Sequence, residues 1–165
     1  MKLAVTATLL SSLVCLAQSP PPAVDVTGAD IQAFLKSLPK DAVSDKPIRV
    51  MDAGGYKVGV YGVLRPKATT QEAILHETTI TEIYYMLSGA GTLVTGGSIV
   101  SPKNRPGLAN TSVVGPRIEG GVSRKVTPGD VIIIPGRTPH WWSNLENDIT
   151  YLIYRPDPEG KQKLK

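Results

Sequence analysis

Two histidines, His76 and His140, are the only imidazoles in this sequence of 165 residues. One lies in the run His76-Glu77-Thr78-Thr79-Ile80-Thr81-Glu82-Ile83-Tyr84, the other near the end of Gly129-Asp130-Val131-Ile132-Ile133-Ile134-Pro135-Gly136-Arg137-Thr138-Pro139-His140-Trp141-Trp142-Ser143-Asn144. A lone histidine on a strand usually packs or faces solvent. Two of them become a site only if the fold brings their segments together. Serine and cysteine nucleophile chemistry is disfavoured: the single cysteine is Cys15, there is no Gly-x-Ser-x-Gly, and no further histidine could act as base. No phosphate-cradling glycine loop opens a helix.

The elements that must position these residues are short. Thr27 to Lys36 reads as one helix, with Thr27 and Asp30 at capping spacing, an apolar stripe of Ile31, Phe34 and Leu35, and Pro39 ending it. After Pro47, runs rich in Val, Ile, Thr and Tyr alternate with Gly, Pro and Asn. Strands are expected near Arg49–Ala53, Lys57–Leu64, Glu72–Thr78, Glu82–Leu87, Gly91–Thr95, Ser123–Val126, Val131–Ile134, His140–Ser143 and Thr150–Arg155. This texture predicts an all-β sandwich or barrel, and the lack of a long helix after Pro39 argues against parallel βαβ units. Ile99 to Gly121, with Pro102, Pro106 and Pro116, reads as a long loop across one barrel end.

Alternation assigns faces. His76 shares one with Thr78, Glu82 with Tyr84 and Met86, and His140 with Trp142 and Asn144. A pocket walled by Tyr84, Met86 and Trp142 beside the polar residues would suit a small organic ligand.

The two histidine segments resemble the paired motifs of the cupin superfamily, in the form of a small single-domain cupin. Gly129, Pro135, His140 and Asn144 fall on the second motif, and Arg137 stands where a second glycine is usual. His76, Glu82 and Gly89 fall on the first, which is degenerate here because Thr78 replaces its second histidine. The resemblance implies a double-stranded β-helix (jelly-roll) barrel of six to eight strands in two sheets, preceded here by the short helix. It also implies a pocket face built from both motifs, where family members commonly bind a divalent metal.

Three of the family's four ligand types remain: His76, Glu82 and His140. Two histidines and a carboxylate can hold Fe(II), Mn(II), Ni(II) or Zn(II) on one face and leave positions open. Thr78 could bond a metal-bound water, and Glu82 or Tyr84 could transfer protons. A different spacing in the first motif would put Leu75 and Glu77 at the ligand positions; His76 is preferred because that register wastes no histidine. The expected ligand-binding residues are Thr78, Met86, Trp142 and Asn144. Arg65, Arg117 and Arg137 could clamp a carboxylate, although each taken alone reads as a solvated surface residue. The function expected is metal-dependent oxygenase, isomerase or lyase chemistry, and the alternative is a non-catalytic cupin that binds a small molecule without metal.

Met1–Ala17, with Lys2 ahead of an apolar run, reads as a secretory signal peptide. Its run is short for a membrane span, and bulky Val14 disfavours lipidation of Cys15. Four regions follow: the signal at 1–17, a linker and helix at 18–46, the barrel at 47–156 and a polar tail at 157–165. A secreted or periplasmic protein is expected, free of the membrane once cleaved and without cysteine or disulfide. The net charge of +4 is scattered, with no basic stripe carrying interleaved aromatics, so nucleic acid is not an expected partner. Trp141, Tyr85 and Ile83 on the outer parity suggest an apolar face through which the barrel could form a homodimer.

Overall fold

The computed structural model describes residues 22–105 and 112–165. The expected signal segment and part of the Ile99–Gly121 stretch lie outside the described residues. Helix α1 (Gly28–Ser37) begins where the capping box predicts. Thr27 Oγ1 accepts from the Asp30 amide at 3.1 Å, and Asp30 returns the bond by accepting from the Thr27 amide at 3.2 Å. The helix lays Phe34 and Leu35 over Gly62, where a Cβ would come within 2.8 Å of the Phe34 ring. Among the described residues no helix is long and apolar enough to cross a membrane.

The rest is antiparallel β. In chain order the strands are β1 (Ser44–Asp52), β2 (Lys57–Arg65), β3 (Ala73–His76), β4 (Glu82–Ser88), β5 (Gly91–Thr95), β6 (Ser98–Ile99), β7 (Lys103–Arg105), β8 (Ser112–Gly115), β9 (Ile118–Glu119), β10 (Val122–Val126), β11 (Val131–Ile134), β12 (His140–Leu145) and β13 (Ile149–Asp157). They form a five-stranded sheet ordered β1-β2-β13-β4-β11 and a six-stranded sheet ordered β10-β5-β12-β3-β8-β7, with β6 and β9 as a separate pair. Between the two sheets lies a core that includes Val63, Tyr84, Met86, Leu93, Trp142, Tyr151 and Ile153. Its rings stack closely, with Tyr84 and Tyr151 centroids 4.7 Å apart and Trp142 5.9 Å from Tyr151.

Two expectations are corrected here. First, the stretch from Ile99 to Gly121 is not a loop across a barrel end. Its β8 pairs with β3 and its β7 with β8, widening one sheet beyond the expected count. The β6–β9 pair covers that sheet's outer face, where Ile99 and Ile118 pack with Ala73, Val94 and Trp141. Pro102 and Pro116 stand between these short strands and not within them.

The polar tail expected at 157–165 packs against the barrel. Asp157 is fully buried and accepts the Gln162 amide at 2.6 Å, while Lys165 exchanges backbone bonds of 3.0 and 3.1 Å with Val50. Its polar side chains conceal a docking made largely by the backbone. Second, Trp141 does not join Tyr85 and Ile83 on an outer face. It sits on the other sheet, covered, and donates its indole N–H to the Gln71 carbonyl at 2.8 Å.

Candidate metal centre and cavity

The site forms where strand ends from both sheets meet. β3 ends at His76 and β12 begins at His140, and the two strands are neighbours, with His140 paired to Ile74. β4 begins at Glu82 in the opposite sheet. The connecting turns brace one another: a Cβ on Gly136 would lie 2.6 Å from the Thr78 carbonyl and 2.7 Å from the Thr79 Cα. Arg137, at the usual glycine position, adopts a φ of 61°, the left-handed geometry that glycine favours.

The result is a convergent trio. His76 Nε2 lies 3.7 Å from one oxygen of Glu82, and His140 Nε2 lies 3.5 Å from the other. One ligand atom from each residue falls within 4.8 Å of the others. The far ring nitrogens have partners too. His140 Nδ1 is 3.0 Å from the Thr138 carbonyl, which can only accept, so Nδ1 carries the proton and Nε2 presents its lone pair. His76 Nδ1 is 3.0 Å from Ser112 Oγ. Holding the distal nitrogen is how a protein aims an imidazole at a metal. His76 lines the cavity, and Glu77 is exposed.

Protonation suits ligation. Burial pulls His76 down to about 4, more than the lifting effect of Glu82. His140 is lowered for the same reason, burial outweighing the neighbouring carboxylate. Burial alone would raise Glu82, but Arg155, the two histidines and the Tyr84 hydroxyl together hold it below the usual carboxylate range. At neutral pH the trio therefore comprises two neutral imidazoles and one carboxylate, the states a divalent cation needs. Tyr84, pushed well above its ordinary value by burial and by Glu82, keeps its proton and donates a hydrogen bond to Glu82 at 2.9 Å.

Sequence reasoning missed Arg155. Its Nε donates to one Glu82 oxygen at 2.8 Å, its Nη2 lies 2.6 Å from that same oxygen, and it also grips both oxygens of Asp45, at 3.1 and 2.5 Å. A signal existed: Arg155 follows the inward parity of Tyr151 and Ile153 on a strand that was expected. Arg65 shares parity with Val63 and likewise turns inward, so its surface reading is corrected.

A cavity of about 560 Å³ opens over the trio, lined also by Thr78, Ile74, Ile80 and Tyr84. Met86 and Trp142 do not reach it; both lie in the packed core. They face inward as parity predicts, but each residue advances about 3.3 Å along its strand, so Met86 sits some 13 Å beyond Glu82. Asn144 is exposed, because a bulge between Trp142 and Asn144 breaks the alternation. Arg117 and Arg137 are also exposed and do not line this cavity.

Two antiparallel sheets enclosing such a pocket at one end define a jelly-roll barrel. More narrowly, this chain belongs to the cupin family, whose description, Cupin, it matches over residues 67–165. Among solved structures it is similar to ectoine synthase from P. lautus, at 13% identity and a TM-score of 0.50, over 84% of this chain and 81% of that one. It is also similar to the DMSP lyase DddQ from Ruegeria pomeroyi DSS-3, at 14% identity and a TM-score of 0.49, over 88% and 80% of the two chains. At these identities the likeness concerns fold alone. A search of curated protein sequences finds no match.

Proposed function

We propose that this protein is an exported cupin that binds one divalent metal ion through His76, Glu82 and His140 and takes a small organic ligand into the cavity beside it. The observation that carries this reading is the convergence of two oriented Nε2 atoms and a carboxylate at the cavity wall. Three protein ligands leave coordination positions for a ligand oxygen or water, as sites for Fe(II), Mn(II), Ni(II) or Zn(II) commonly do. When bound, the ion would act as a Lewis acid toward an oxygen of the ligand, the chemistry common to cupin-type oxygenase, isomerase and lyase reactions. The chain's own residues would keep Glu82 ionised through Arg155 and Tyr84, and would keep bulk water from the apolar wall formed by Ile74 and Ile80.

Arg155 favours a second reading, a cupin that binds its ligand without metal. Its guanidinium already neutralises Glu82, the one carboxylate of the trio. Export rests on the signal-like segment Met1–Ala17. Homodimerisation is supported by the exposed Tyr85, Val131 and Ile133 on one sheet's outer face.

Elemental analysis of protein purified without a histidine tag or chelators separates the two readings. Near-stoichiometric Fe, Mn, Ni or Zn, lost in both His76→Ala and His140→Ala, is the expected result. A wild-type protein that takes up no metal on reconstitution leaves the metal-free reading.

A further inference from the structure

The cavity carries more positive charge than the trio requires. Three carboxylates line it, and each is engaged: Asp45 and Glu82 by Arg155, and Glu72 by Arg105. Arg65 lines the same cavity without an acid partner. Its Nε donates to the Tyr151 hydroxyl at 2.8 Å and its Nη1 to Gln71 Oε1 at 3.0 Å, both neutral groups. No ion pair among the described residues includes Arg65, and its Nη2 donates to none of them. Lys46 and Lys163 at the mouth add charge of the same sign.

An arginine stays charged at any pH a protein tolerates, and a charge withdrawn from water is normally paired. The two neutral bonds fix the guanidinium plane, so Arg65 is already oriented for a partner. A second group in the lining of the cavity awaits one: Thr78 Oγ1 is buried and has no hydrogen-bond partner.

We propose that the ligand is a small organic acid whose carboxylate is held by Arg65. A planar carboxylate matches the edge of one guanidinium, and inorganic phosphate, which an arginine can also hold through two parallel bonds, is the competing anion that the test must separate from it. The inference rests on the cavity being the ligand site, as argued above, and adds the chemical class of its occupant.

The test is calorimetric titration of the full-length mature protein at neutral pH with pyruvate, malonate and benzoate, each beside its neutral amide, and with inorganic phosphate. At least one acid is expected to bind, with its amide about tenfold weaker or worse. Arg65→Gln should weaken that acid about 10- to 100-fold, the range for a charge-assisted hydrogen bond. Arg65→Lys should lie between the two proteins, and it carries the comparison if Arg65→Gln fails to fold. The proposal is overturned if no acid binds, if acid and amide bind alike, if phosphate binds as well as the acids, or if the folded Arg65 variants bind like wild type. Metal content of the same samples reports separately on the trio. A chain without metal that still binds acids through Arg65 would refute the metal centre and leave this inference standing.

Discussion

The two ends of the barrel interior are built from the same strands and the same alternation, yet they are different materials. Along β4 the inward positions run Glu82, Tyr84, Met86; along β12 they begin His140, Trp142; along β13 they run Tyr151, Ile153, Arg155. At one end they are apolar and interlock. At the other they are ionisable and surround a cavity. Parity decides which face a side chain joins, and depth along the strand decides whether it becomes core or site. The packed end should therefore govern stability with little effect on the site, and the polar end should govern both.

The packed end gives the largest expected loss. Trp142→Ala removes the largest fully buried side chain and should cost about 3–5 kcal/mol in urea denaturation. If the ends are separable, the folded fraction of that variant keeps wild-type metal content. Metal lost in proportion to stability would mean that the two ends act as one unit.

Arg155→Met probes the polar end in the opposite way. It leaves Glu82 and Asp45 without their shared counter-charge, and breaking a buried pair costs about 3–5 kcal/mol. Unlike the core variant, this one should be rescued in part by added Zn(II), because a cation beside Glu82 replaces the missing charge and binds only the folded state. A thermal midpoint that Zn(II) leaves unmoved would mean that Glu82 is not available to a metal.

Acid should also act on the polar end first. As pH falls below 6.5, the unfolded chain protonates His76 before the folded chain, whose value is about 4. The unfolded state then binds more protons, so stability declines with pH across that window. At about 1.4 kcal/mol per pH unit, the loss in metal-free protein is on the order of 3 kcal/mol from His76. The lowered value of His140 acts in the same direction, and that of Glu82 extends the decline below its ordinary 4.5. Denaturation of metal-stripped protein at a series of pH values measures this. A flat profile between pH 6.5 and 4 would contradict the neutral state assigned to both histidines.

The same contrast explains what was legible in the sequence. The helix and most strands follow from local signals, a capping box, alternation, and turns rich in glycine and proline, whereas the convergence of His76, Glu82 and His140 was implied by the resemblance of their segments to the cupin motifs. What was hidden depends on distance along a strand or on partners far away in sequence. Met86 and Trp142 point inward but too deep, and the bulge that turns Asn144 outward leaves no mark in composition. Arg155 looked like the last residue of a strand, and its role appears only once Asp45, 110 residues earlier, closes over it. Strands β6 to β9 are two to four residues long, too short for a periodicity to develop.

The smallest expected effect lies in the turn ahead of His140. Arg137 holds a φ of 61° and is exposed, so its side chain contributes little to offset the left-handed backbone. That conformation costs a residue with a Cβ about 1–2 kcal/mol, and glycine returns part of it as greater freedom in the unfolded chain. Arg137→Gly should therefore stabilise the protein by about 0.5–1 kcal/mol, read as a higher urea midpoint with an unchanged slope. The turn lies at the polar end, so the gain should come with unchanged metal content. Destabilisation would mean that the Arg137 side chain contributes more to the closure around Glu159 and Thr79 than the strain it imposes.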